Sequence, residues 1–458
     1  MLKRKIALLG LIGILGLASC GTEMEYVAGT ADSSGTNGGN RKKEPFVEET
    51  VEGNLFTATT EYTAPSEEYN STSDNFSSYT AKLNSFSGNI AAQLLAENEH
   101  NTAVSPLSIY MALAMTSSIG SGDTSSEILN ALGMTDDEIK NYVSALMYYA
   151  NSKSNKTLTE ILANSIWLNS NLEYKEDALT ELANYYNASS YQADFTNDNY
   201  NANCNITKYV KNNTKGLINQ NFNLNSDTAF ALINTLYYKD AWEGVDTGLA
   251  LTDEAYTFTD TSGHTRDINL IQGNYADGQT IVKDTYSAFY AETYNGYHLT
   301  FVVPNDDYSL SSVFTADTIS YVNSSEFKEE VANTKYDSTA NTYYMTRCLF
   351  PTFRAEYHGS IVSSLYNLGI STAFTESADF KSLTDTQTKL TDVIHATKLK
   401  VDTEGIEGAA VTMGIASITS VEPERTIVYN DFIINKAFGY VISDSNGIPL
   451  FTGMINEI

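Results

Sequence analysis

Five histidines (His100, His264, His298, His358 and His395) are the side chains best suited to moving protons or holding a metal. No two of them form a His-x-x-x-His pair. The three cysteines, Cys20, Cys204 and Cys348, form no Cys-x-x-Cys. Two internal cysteines make no disulfide framework; both are expected reduced and buried, with a single bridge between them as the alternative. The sequence holds no phosphate-binding loop and no dinucleotide glycine pattern. Serine and aspartate are so plentiful that a Ser-His-Asp triad can be assembled on paper, but no Gly-x-Ser-x-Gly elbow supports one. These residues point away from an enzyme, and no cofactor or metal is expected.

Residues 403–421 offer a different chemistry. They read Thr-Glu-Gly-Ile-Glu-Gly-Ala-Ala-Val-Thr-Met-Gly-Ile-Ala-Ser-Ile-Thr-Ser-Val. From Gly408 to Val421 nothing is charged, in a chain of 458 residues with a formal net charge of −29. Split at period two, one face carries Ile406, Gly408, Ala410, Thr412, Gly414 and Ala416. The other carries Glu407, Ala409, Val411, Met413, Ile415 and Ser417. The first face is nearly all small, so the segment can slide beneath covering structure as a strand. Gly405, Gly408 and Gly414 equally let it stand as an exposed loop. A segment suited to both states is a candidate switch; the plainer alternative is a core strand beside a glycine hinge.

Such a switch needs a sheet to enter, and the flanks supply strands. Upstream, Val393-Ile394-His395-Ala396-Thr397-Lys398-Leu399-Lys400-Val401 leads into the stretch. Downstream lie Asn435-Lys436-Ala437-Phe438-Gly439-Tyr440-Val441-Ile442 and Pro449-Leu450-Phe451-Thr452-Gly453-Met454-Ile455-Asn456. Earlier, Asn101 to Ile109 opens a helix with Pro106 placed for its first turn. Phe230 to Glu243 includes Asn234-Thr235-Leu236-Tyr237-Tyr238-Lys239-Asp240-Ala241-Trp242. Phe350-Pro351-Thr352-Phe353, Leu368-Gly369-Ile370 and Ala378-Asp379-Phe380 follow. In this order the segments resemble the serpin family, from residue 79 to the C-terminus, with no internal repeat and no second domain.

The resemblance implies an α+β fold: a large mixed central β-sheet with two further sheets, surrounding helices and an exposed reactive-centre loop. It implies a monomeric suicide-substrate inhibitor of serine endopeptidases, with cysteine endopeptidases as a further class. The target protease is the expected partner, held as a covalent acyl complex while the cut loop enters the main sheet. Thr403, Glu404, Gly405, Ile406, Glu407, Gly408, Ala409, Ala410, Val411 and Thr412 would form the hinge. Ser105, Ser108, Asn234 and His395 would form a buried polar cluster where the sheet must part. Fourteen residues beyond Gly405 lies Thr419, so Thr419-Ser420 would be the reactive bond. Its small and β-branched surroundings suit an elastase-like pocket; Arg425-Thr426 is the trypsin-like rival. Thr403 stands where the family usually has Glu, Ile406 where it prefers Thr or Ser, and Tyr209 where Trp is usual. The alternatives are a non-inhibitory serpin acting as a surface binding module and a lipid-anchored glycan-binding protein.

At the N-terminus, Met1-Leu2-Lys3-Arg4-Lys5 precedes an apolar run, Ile6 to Ala18, that is too short to span a membrane and reads as a signal peptide. The run ends Leu17-Ala18-Ser19-Cys20, which resembles the bacterial lipobox. Residues 1–19 would be removed, and lipid on Cys20 would hold the protein at the membrane, on the extracellular surface. Residues 20–78, rich in Gly, Ser, Thr, Asn and Glu, read as a flexible linker, for reach or as a plain spacer. An excess of 56 acidic over 27 basic residues argues against nucleic acid or anionic membrane as a partner of the folded part.

Overall fold

The computed structural model describes residues 46–58, 61–96, 98–242, 249–276, 279–334, 342–406 and 426–458. The opening helix, Asp74–Ala96, buries Phe76, Tyr79, Leu83, Phe86, Ile90 and Leu94, a stripe spaced by three and four residues. The next helix, Pro106–Ile119, starts on a proline whose missing N–H would have had no helical partner anyway. It is buried on nearly every side because it is sandwiched between two sheets.

Among the described residues the main sheet has seven strands. From edge to edge they are Asn54–Phe56, Ala188–Ala193, Thr159–Asn169, Phe230–Ala241, Gly405–Ile406, Ile394–Val401 and Phe353–Ser360. Only Thr159–Asn169 and Ala188–Ala193 pair in parallel; the other ladders are antiparallel, so the sheet is mixed. A six-stranded sheet and a four-stranded sheet complete the expected α+β architecture, and a two-stranded hairpin, Tyr256–Thr259 with Thr265–Ile268, adds to it.

The strand alternation decides what faces what. In Ile394–Val401, His395, Thr397, Leu399 and Val401 are buried on the side of the Pro106–Ile119 helix. Ile394 and Ala396 face a second apolar cluster on the opposite side of the sheet, built on Trp167, Phe195, Ile206, Val210, Phe222 and Ile233. That cluster is roofed by a covering helix, Asn199–Asn213. Tyr209 is buried there, edge-on to both Trp167 and Tyr191. Cys204 and Cys348 are buried and unpaired.

Part of the linker expected over 20–78, residues 46–58, is docked on the domain. Residues 46–58 run along the covering helix and add the outermost strand of the main sheet, and the opening helix begins at Asp74, upstream of residue 79 where the resemblance starts. The docking rests chiefly on backbone, amide and charged contacts, with Val51 packed against the second apolar cluster. Residues 1–45, Cys20 among them, lie outside the described residues.

Candidate functional site

Each end of the Phe230–Ala241 and Ile394–Val401 strands tells a different story. At one end they are joined through a two-residue strand: Gly405 lies opposite Ala241, and Ile406 lies opposite both Asp240 and Val401. Below that point no ladder links the two strands among the described residues. A cavity of about 40 Å³ lies between them instead, lined by Ser108, Asn234, Thr235, His395, Val210 and Phe222 among others. The main sheet is parted there.

Gly405 and Ile406 are seated by close fit. A Cβ at Gly405 would stand 2.1 Å from the Asp240 carbonyl oxygen, so only glycine allows this approach. Ile406 is fully buried in the main core. The turn before it is pinned by three contacts. Trp242 Nε1 donates to the Asp402 carbonyl at 2.7 Å, the Leu249 N–H donates to the Thr403 carbonyl at 2.6 Å, and the Asp402 N–H donates to the Gly405 carbonyl at 3.0 Å. Thr403 is half-buried and Glu404 exposed. The remaining expected hinge residues, 407–412, and the expected reactive bond Thr419-Ser420 lie outside the described residues.

Beside this seat Asp240 accepts from Thr293 Oγ1 and Asn295 Nδ2, both at 2.6 Å, and from the Ala241 N–H at 2.8 Å. Burial raises its pKa, and these donors oppose the rise. Glu160, fully buried two strands away from the hinge, accepts from the Tyr297 hydroxyl. Burial, reinforced by Asp444, pushes its carboxyl up to about 8, so it is protonated at neutral pH.

The four residues expected to cluster are partly brought together. The Ser105 N–H donates to His395 Nε2 at 3.0 Å, and Ser105 Oγ accepts from the Ser108 N–H at 3.2 Å as the helix cap. Because Nε2 is an acceptor, the imidazole is neutral, and burial holds its pKa down at about 3. Asn234 bonds elsewhere. Its Nδ2 donates to Asn164 Oδ1 at 2.8 Å, and Asn164 Nδ2 donates in turn to the Tyr186 carbonyl at 2.7 Å. The Asn234 Oδ1 finds no donor among the described residues. Sequence reasoning missed Asn164, Asp240, Trp242 and Glu160. Asn164 left no signal in the sequence, since it meets Asn234 only through the antiparallel register of their two strands.

A family model described as Serpin (serine protease inhibitor) matches residues 81–458. Iripin-1 of Ixodes ricinus is 26% identical over 391 residues, spanning 82% of this chain and 93% of that protein. Neuroserpin of Homo sapiens is 26% identical over 380 residues, spanning 78% and 86%. Among solved structures, the thermophilic serpin tengpin in its native state aligns with a TM-score of 0.71 at 22% identity, over 90% of this chain and 100% of the other. Thyroxine-binding globulin in complex with thyroxine aligns with a TM-score of 0.67 at 21% identity, over 82% and 98%. The seven-stranded sheet with its parted centre, and a family match running unbroken to the last residue, make this chain a member of the serpin family, whose members are generally protease inhibitors.

Proposed function

We propose that this chain is a suicide-substrate inhibitor that traps its target protease by inserting the cut reactive loop between the Asn234 and His395 strands. The observation that carries the proposal is the seat of Gly405 and Ile406: above a parted sheet, Gly405 already pairs with Ala241, and Ile406 pairs on both sides. Loop insertion into the main sheet is the known behaviour of serpins; the register follows from the pairing of Gly405 and Ile406. A strand continued antiparallel from Ile406 sets Ala410 opposite Leu236 and Thr397. It sets Thr412 opposite both Asn234 and His395. The small face, Gly408, Ala410 and Thr412, then turns with Ile406 toward the Pro106–Ile119 helix. The Thr412 hydroxyl arrives where the Asn234 Oδ1 lacks a donor.

The energetics are sufficient. About a dozen new strand residues at ~0.5–1.5 kcal/mol per net hydrogen bond supply on the order of 10 kcal/mol. Losing one oxyanion donor slows acyl-enzyme chemistry by ~10²–10³, or about 3–4 kcal/mol, so insertion can distort the protease site. The path from Ile406 to Thr419 is about 43 Å long at ~3.3 Å per residue, enough to drag the acylated protease along the sheet.

Thr419-Ser420 is the reactive bond in this reading, and elastase-like serine endopeptidases are the favoured targets. Cysteine endopeptidases, which also pass through an acyl-enzyme, form a second class. Thr426 is the first residue of a strand paired with Thr342, which disfavours the rival bond Arg425-Thr426, since a protease cleft needs its substrate free of other pairing. The inhibitor works as a monomer, with lipid on Cys20 holding it at the extracellular face of the membrane. Incubation with a panel of proteases tests the reading. An SDS-stable adduct with an elastase-like enzyme, and a released peptide beginning at Ser420, are expected. A peptide beginning at Thr426 moves the bond to Arg425, and active protease with no adduct anywhere in the panel overturns the proposal.

A further inference from the structure

Residues 46–58 lie upstream of the family match, and they are tied to the domain at close intervals. Glu48 pairs with Lys215 at 2.9 Å and Glu49 with Lys211 at 2.5 Å. The Glu49 N–H donates to Asn212 Oδ1 at 2.9 Å, and its carbonyl accepts from Asn212 Nδ2 at 2.7 Å. The Glu52 N–H donates to Asn205 Oδ1 at 3.3 Å. The chain then crosses to the sheet edge. The Gly53 carbonyl accepts from the Gln192 N–H at 2.7 Å, Asn54–Phe56 pairs with the Ala188–Ala193 strand, and the Ala58 N–H donates to Ser189 Oγ at 3.1 Å. One segment thus grips the covering helix at one end and the sheet at the other.

That helix stands over the gap. Val210, with Ile218 and Phe222 just beyond the helix, forms one side of the cavity, and Ile233, Ile394 and Ala396 of the two parted strands line it too. With only about 40 Å³ free, the cavity cannot take the Ala409, Val411 and Met413 side chains of an incoming strand. The helix must lift or shift first. The segment itself is mostly exposed, Leu55 and Phe56 included, so it adds little to the core. Its contacts are chiefly polar, of a kind that can be released.

We propose that residues 46–58 form a strap that holds the covering helix on the sheet and thereby sets the rate of loop insertion. This rests on the insertion reading above. Anything that cuts or pulls the strap would then speed insertion.

Two full-chain variants test it. Gly53 has φ +82°, and a Cβ there would stand 2.1 Å from the Gln192 carbonyl oxygen, so Gly53→Val unseats the strap without altering the helix or the gap. The pair Glu48→Lys and Glu49→Lys breaks both ion pairs, and adding Lys211→Glu and Lys215→Glu should restore them. The loop is cut by a metalloprotease, which forms no acyl-enzyme. Insertion is followed by tryptophan fluorescence, since Trp167 lies under the helix and Trp242 beside the hinge. Both variants are expected to insert at least tenfold faster, with at least tenfold faster hydrogen exchange over Asn199–Asn213, and the four-residue swap to reverse both effects. If cutting the wild-type loop brings no rise in melting temperature, the insertion reading falls and the strap with it. If that rise is present and the variants insert and exchange within twofold of wild type, the strap alone is overturned.

Discussion

Ala410→Glu puts the proposed register under the most pressure. In the continued strand Ala410 comes to lie between Leu236 and Thr397, which are 7% and 5% exposed, on the face turned to the Pro106–Ile119 helix. Neither neighbour can balance an ionised carboxylate, and burying one unpaired costs several kcal/mol. In the uncut loop the same charge costs almost nothing. If about 3 kcal/mol of that penalty falls on the insertion barrier, insertion slows on the order of 100-fold, and deacylation overtakes it. Titration of a target protease should show cleavage at the wild-type bond, intact serpin consumed in large excess, and protease released active. Ala410→Ser, small and neutral, should keep wild-type stoichiometry. Lowering the pH toward the carboxyl pKa should restore part of the trapping by Ala410→Glu, because the neutral acid is cheaper to bury. Trapping by Ala410→Glu at wild-type stoichiometry and neutral pH would refute the reasoning.

Three further outcomes follow from the site. Gly405→Ala forces its Cβ against the Asp240 carbonyl and should expel Ile406 from the core, losing about 1.5–3 kcal/mol of apolar burial; thermal melting should report the loss, and an unchanged melting temperature would contradict the close fit. Glu160, with its pKa pushed up to about 8 from an ordinary 4.5, holds a proton in the native state that the unfolded chain has already shed, so stability should fall as pH rises through that window. Between pH 7.5 and 9, where His395 is neutral folded and largely so unfolded, Glu160→Gln should flatten the fall in melting temperature; an equal fall in both proteins would contradict the assignment. Cys20→Ala should move the protein from the membrane fraction to the soluble one with inhibition intact, and continued membrane retention would end the lipid-anchor proposal.

Much of the architecture was legible because it depends on local patterns. The serine cap before Pro106, the alternation of Ile394–Val401 and the small-residue hinge each leave a periodic or positional mark. What escaped the sequence depends on pairings between distant strands. Asn234 bonds Asn164, not His395, because the antiparallel register of their strands puts the two amides face to face. Glu160 looks like an ordinary acidic residue until the fold closes Tyr297 over it. In the docked segment at residues 46–58 the apolar Val47, Leu55 and Phe56 stay exposed, and its hold comes chiefly from backbone, amide and charged groups that propensity does not read. The parted sheet is likewise invisible in one dimension, since both of its strands carry ordinary strand patterns.

The most direct test of the account is the structure of the loop-cleaved protein. It should show one added strand running down from Ile406, with Ile406 still opposite Asp240 and Val401, and with Thr412 between Asn234 and His395. The cavity beside Asn234 should be filled, and its Oδ1 should accept from the Thr412 hydroxyl. A cleaved protein whose Asn234 and His395 strands pair directly with each other, leaving the severed loop outside the sheet, would contradict the account.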